Sequence, residues 1–289
     1  MKLNYIFYLI PAAASFLYWN NNAIEVTKYN YINNKLPKSF NGYKILHISD
    51  LHNKNFHGRL INKMKEINPD IIVITGDLID RRRTNLNTAK EFIENSVKIA
   101  PTYYVSGNHE QLSEHYPELK EILNNNNVIN LDDSYVTINK GGSKISIIGI
   151  AAPVLIKIEK TSEFKNNDSY VKSKLKDLTK NFRTDFNILI AHRPEQIHIY
   201  KKFDLDLILS GHAHGGQIRI PFIGGILSPN QGFFPKYSEG MHEEGSTSMV
   251  VSRGLGNSTF PFRIFNRPEL IVVDLTTNQN TGEKYEKTK

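Results

Sequence analysis

Five polar clusters along the chain carry residue types suited to metal-ion chemistry: Asp50-Leu51-His52, Gly76-Asp77, Gly107-Asn108-His109-Glu110, His192 and Gly211-His212-Ala213-His214. Carboxylate, imidazole and amide oxygen without sulfur suit hard or borderline divalent cations. Asp50 and His52 stand two apart, so on an extended chain they point to the same side and can chelate one ion. His212 and His214 repeat that spacing. Asp77 lies between the two sets in the order of motifs, and its two oxygens allow it to bridge two ions. The adjacent glycines permit tight turns and close backbone approach. Each motif taken alone has an ordinary reading: Asp-x-His as a surface turn, Gly-Asp as a common strand end, a buried His as a hydrogen-bonded core residue. Their joint occurrence, in order and each at a strand end, argues for a site.

The elements that would position these groups are legible as short apolar runs bounded by turn residues. Residues 44–49, 71–75, 102–106, 145–150, 187–191, 205–210, 249–252 and 270–275 read as strands, and 60–67 and 89–99 have helical spacing. Strands alternating with helices predict an α/β domain. In open sheets of that class ligands gather beyond the carboxyl ends of the strands, where these clusters fall. With 289 residues and 39% hydrophobic content the chain can build a sizeable core. It contains no cysteine, which excludes disulfides, thiolate nucleophiles and Cys-ligated zinc or iron–sulfur centres.

The ordered set Asp50-x-His52, Gly76-Asp77-x-x-Asp80, Gly107-Asn108-His109-Glu110, His192 and Gly211-His212-x-His214 resembles the signature of calcineurin-like metallophosphoesterases, over about residues 43–275. Gly215-Gly216-Gln217, residues 228–234 and residues 252–256 are similar to a membrane-associated bacterial branch of YkuE and YaeI type. The resemblance implies two β-sheets packed as a sandwich flanked by helices, a four-layer αββα arrangement. It implies two divalent metal ions (manganese, iron or zinc), with Asp50, His52 and His214 on the first, Asn108, His192 and His212 on the second, and Asp77 between them. It further implies that His109 is a catalytic histidine outside the ligand set and that Asp80 orients it. The reaction expected is hydrolysis of a phosphodiester, phosphomonoester or pyrophosphate bond by hydroxide held on the metals, because paired cations stabilise the entering and leaving oxygens of an in-line displacement.

The net charge of +7 favours anionic partners in general. Arg81, Arg82, Arg83 and Arg193 adjoin ligand motifs; each is either a solvated charge or a phosphate-binding group. The apolar stretch 220–227 and Phe233-Phe234 follow the last ligands, either as core packing or as an apolar wall beside the metals. At the other end, residues 3–19 are nearly all apolar, so residues 1–22 are expected to be a membrane anchor or signal segment, against the alternative of a helix folded onto the domain. The enzyme domain is expected over residues 23–276, followed by a polar disordered tail at 277–289. A phosphorylated, lipid-linked substrate, a membrane partner through the N-terminal segment and a location at the bacterial cell membrane, with a lean to the extracytoplasmic side, complete the expectation. No nucleic-acid partner is expected, since no basic stripe with interleaved aromatics is present. The rival readings are a nuclease of the same family, a phosphoprotein phosphatase and a metal-binding scaffold without activity.

Overall fold

Strands whose residues are apolar on both faces must be covered on both faces, and the chain meets that demand with four layers. The structure, a computed structural model, describes residues 3–153, 163–180, 184–257, 260–277 and 285–288. The helices are α1 (Leu3–Asn22), α2 (Arg59–Ile67), α3 (Leu86–Ser96), α4 (Asn108–Gln111), α5 (Tyr116–Asn125), α6 (Glu163–Thr179) and α7 (Ile197–Tyr200). The strands are β1 (Glu25–Ile32), β2 (Tyr43–Ile48), β3 (Ile71–Thr75), β4 (Thr102–Val105), β5 (Ile129–Asn130), β6 (Ser134–Lys140), β7 (Ser143–Ile150), β8 (Asn187–Ala191) and β9 (Leu207–Ser210). They continue with the two-residue strands β10 (Arg219–Ile220), β11 (Gly224–Gly225), β12 (Leu227–Ser228) and β13 (Gly232–Phe233), then β14 (Gly240–Glu244), β15 (Thr247–Val251), β16 (Glu269–Thr276) and β17 (Tyr285–Thr288).

One sheet runs β17-β1-β16-β2-β3-β4-β5 and the other β14-β15-β9-β8-β7-β6. Alternation along each strand sorts the side chains. Ile45 and Val73 of the first sheet join Ile147, Ile188 and Leu209 of the second in a core between the sheets. Leu46, Ile48, Ile72 and Ile74 face outward beneath α2, α3 and α5, where Met64, Phe92 and Leu119 cover them. On the far side Ile148, Leu189, Ile208 and Met249 are covered by Val171 and Leu175 of α6 and Ile197 and Tyr200 of α7. The αββα sandwich follows. Strands β2, β3 and β4 are parallel neighbours, as are β7, β8 and β9, so their carboxyl ends lie along one edge of the sandwich.

Two expectations about the ends of the chain differ from the structure. Among the described residues no helix is long and apolar enough to cross a membrane, so the anchor and the cell-membrane location inferred from it do not hold. Pro11 and the run Asn20 to Asn22 lie inside α1 and break the apolar character of its 20 residues. The C-terminal half of α1 instead packs on the domain. Phe16 meets Phe265 edge-on at 5.1 Å, the Asn21 side-chain oxygen accepts from Asn257 Nδ2 at 2.8 Å, and Arg267 lies over the Trp19 ring at 4.7 Å. In the polar tail, residues 285–288 pair antiparallel with β1 as an edge strand, where disorder was expected.

Candidate metal centre

The loops following β2, β3, β4, β8 and β9 converge, and they are bound to one another through the backbone. Asp50 N donates to Gly76 O at 3.0 Å, His52 N to Asp77 O at 3.0 Å, and Gly211 N to His192 O at 3.1 Å. Such close approach leaves no room for side chains between the loops. A Cβ on Gly107 would lie 2.2 Å from Asp77 Oδ1, and one on Gly211 would lie 1.8 Å from Ser49 Oγ. The ligand positions also have strained backbones: Asp50, His52, Asp77, His212 and His214 all have positive φ, between 45° and 66°. For residues other than glycine that costs roughly 1–2 kcal/mol each and persists only where surrounding contacts enforce it.

Two groups of side chains result. In the first, His52 Nε2 lies 3.1 Å from His214 Nε2 and 3.6 Å from Asp77 Oδ2, while His214 Nε2 lies 3.4 Å from Asp50 Oδ1. In the second, His192 Nε2 lies 3.2 Å from Asp77 Oδ2, 3.2 Å from Asn108 Oδ1 and 3.2 Å from His212 Nδ1. Asp77 Oδ2 faces both groups. Asp50, His52, Asp77 and His214 form one potential ion site, and Asp77, His192 and His212 another, with all ligand atoms of each within 4.8 Å of one another.

The electrostatics agree with a cation-binding centre. Burial pushes the Asp50 carboxyl up to about 6. Burial acts the same way on Asp77, but His192 and His52 beside it hold its carboxyl well below the usual carboxylate range. Burial opposes charge on His192 too, yet Asp77 and Asp50 carry its imidazole up to about 9. His52, His212 and His214 are pushed down by burial, which keeps them in the neutral form that binds metal. Buried carboxylates and imidazole nitrogens crowded at 3.1–3.6 Å, with no ammonium or guanidinium among them, fit a pair of divalent cations.

His109 and Asp80 lie at the rim. The His109 ring stands 4.5 Å from the His52 ring, and its Nδ1 accepts from Arg81 N–H at 3.2 Å. Asp80 Oδ1 is 3.7 Å from His109 Nδ1, beyond hydrogen-bond distance, and its carboxylate is engaged by Arg82 through both backbone and guanidinium. Asp80 Oδ2 also lies 3.9 Å from His52 Nδ1. These three residues make a third group whose ligand atoms approach within 4.8 Å. A groove of about 550 Å³ leaves His52 and Asp80 past Arg82 and Arg83 to Asn257 and Pro261. The remaining arginines do not converge: Arg81 is exposed and contributes its backbone N–H, and Arg193 sits 3.5 Å from Glu195 Oε1.

Sequence reasoning named Glu110 within a motif but gave it no task. Its buried carboxylate accepts from Asp77 N at 2.8 Å, Ile79 N at 3.0 Å and Gly107 N at 2.7 Å, tying the β3 loop to the β4 loop. Arg263, also missed, is fully buried and donates to the carbonyls of Arg253, Gly256 and Asn266, shaping the loop behind Asp50. The position of Glu110 in a Gly-Asn-His-Glu motif was the only available signal; Arg263 offered none.

A family model described as calcineurin-like phosphoesterase matches residues 43–216. The chain is 31% identical over 268 residues to the uncharacterized metallophosphoesterase YkuE of Bacillus subtilis, covering 89% of this chain and 87% of that protein. It is 25% identical over 239 residues to the phosphodiesterase YaeI of Escherichia coli, covering 81% and 82%. The crystal structure of TT1561 from Thermus thermophilus is similar at a TM-score of 0.47 and 14% identity, over 74% of this chain and 90% of that one.

Proposed function

The chain belongs to the calcineurin-like phosphoesterase family and is a hydrolase of phosphoric ester bonds, and from that premise we propose that it is a two-metal enzyme acting on a lipid-linked phosphodiester or pyrophosphate. The observation that carries the two-metal reading is that one oxygen, Asp77 Oδ2, faces both ligand groups. Asp50, His52 and His214 would hold one ion, Asn108, His192 and His212 the other. When bound, such a pair lowers the pKa of water and stabilises both the entering and the leaving oxygen at phosphorus.

The chain's own groups supply the rest. His109 Nδ1 accepts a hydrogen bond from the Arg81 N–H, so in the neutral ring Nε2 carries the hydrogen and can donate a hydrogen bond to a phosphoryl or leaving oxygen. Arg82 and Arg83 line the groove and attract the anionic substrate.

The lipid-linked part rests on the surface around that groove. Among the described residues, thirteen of the sixteen exposed large apolar side chains belong to α1, residues 220–234 or residues 260–265. These segments are joined: Gln217 Nε2 donates to Phe260 O, Ile218 bridges Ile264, and Phe16 of α1 packs on Phe265. Pro261 in the groove lies between Phe260 and Phe262, both partly exposed. An apolar margin this extended on one side marks an interaction site more often than a chance distribution does.

Full-length protein supplied with manganese is expected to hydrolyse a chromogenic phosphodiester, with activity abolished by a chelator. Of two diesters with the same leaving group, one short-chained and one bearing an acyl chain in detergent micelles, the acyl substrate is expected to have a kcat/KM at least about tenfold higher, since each buried methylene contributes about 0.8 kcal/mol. Equal values for the pair would remove the lipid reading and leave the hydrolase intact. Efficient cleavage of single-stranded DNA in preference to both would favour a nuclease instead.

A further inference from the structure

Glu195 lies just after His192 and Arg193, in the short turn Pro194–Gln196 that continues from β8, so the strand that delivers one ligand also delivers this carboxylate. Both of its oxygens are shut off from solvent without a hydrogen-bond partner. Its near neighbours are the Arg193 guanidinium at 3.5 Å and His212 Nε2 at 4.0 Å. His212 Nε2 is itself buried and unpartnered. The opposite ring nitrogen, His212 Nδ1, points into the second ligand group, 3.2 Å from His192 Nε2. A histidine that ligates through Nδ1 must carry its single proton on Nε2, and here that proton faces Glu195.

We propose that Glu195 is a positioning residue for the second cation: it accepts the Nε2 proton of His212, fixes the tautomer that presents Nδ1, and raises the basicity of that nitrogen. The partner imidazole has an equivalent device, since His192 Nδ1 donates to Thr75 O at 2.7 Å and leaves Nε2 free for the ion. Without Glu195, the His212 ring would be held on one side only. The gap between Glu195 and His212 must shorten by about 1 Å for a hydrogen bond to form. Partners of this outer kind commonly govern metal affinity without touching the metal. The inference rests on the two-ion reading of the site.

Calorimetric titration of manganese into metal-stripped full-length protein separates the two. Wild type is expected to bind two ions, and E195A to lose about tenfold to a hundredfold in affinity at one site alone. E195Q, whose amide oxygen still accepts a proton, should retain most of the wild-type affinity. Metal-free E195Q should melt close to wild type, whereas metal-free E195A leaves the largely buried Arg193 guanidinium without its ion-pair partner and should melt lower. Unchanged affinity in E195A would overturn the inference, as would equal losses of affinity at both sites. E195Q as weak as E195A would overturn the tautomer assignment. No binding by wild type would overturn the two-ion reading, and this inference with it.

Discussion

Asp77→Asn is expected to lower kcat/KM on a phosphodiester by roughly a thousandfold or more and to remove both cations together. Asp77 Oδ2 stands 3.2 Å from His192 Nε2 and 3.6 Å from His52 Nε2, so it is common to the two ligand groups. Its other oxygen accepts from His109 N–H at 2.8 Å and fixes the rotamer. An amide keeps the size of the side chain but can put an N–H where the shared oxygen was, repelling both ions at once. Loss of any other ligand would leave one group complete. Elemental analysis of metal bound per chain, measured beside the kinetics, decides the matter. A variant that keeps one ion at full occupancy would show that Asp77 serves a single site.

His109→Ala is expected to lower kcat by about a hundredfold to a thousandfold while two ions remain bound, as loss of one hydrogen-bond donor to developing charge does. The separation of the two readouts matters, because His109 also belongs to a group with His52 and Asp80 that could hold an ion. His52 already faces His214 and Asp77, and the Arg81 backbone N–H occupies His109 Nδ1. The ring therefore has one nitrogen left, suited to donate to a substrate oxygen. Burial lowers its pKa, so the neutral form prevails near pH 7. Full turnover by the variant would exclude a catalytic role, and loss of an ion would make His109 a ligand.

The fold was legible where both faces of a strand are covered. The runs at 71–75 and 187–191 are continuous apolar sequence, and they are β3 and β8 to the residue. Strand β6 was missed because its sequence, SYVTINK, is half exposed at the sheet edge and carries no strong apolar period. Strand β1 alternates, but only two residues separate it from the end of α1, so no turn signal marks its start. At the N-terminus hydrophobicity alone predicts insertion into lipid. What decides otherwise is a set of contacts, Phe16 with Phe265 and Asn21 with Asn257, that involve residues more than two hundred positions away.

The proposed ligands were visible because each lies in a short motif at a strand end. Their left-handed backbones were not visible, since Asp and His enter that region more often than most residues but still only occasionally, and nothing in the sequence marks these positions for it. Glu110 and Glu195 were silent for a related reason. One acts on backbone N–H groups of another loop, and the other faces a histidine delivered by a different strand. Roles of that kind exist only once the chain has closed on itself.

The most direct test is crystallographic. In crystals of the full-length protein soaked in manganese, the anomalous difference map should show two peaks about 3.5–4 Å apart, both in contact with Asp77. A single peak, or peaks away from Asp50, Asn108 and His212, would contradict the two-metal account.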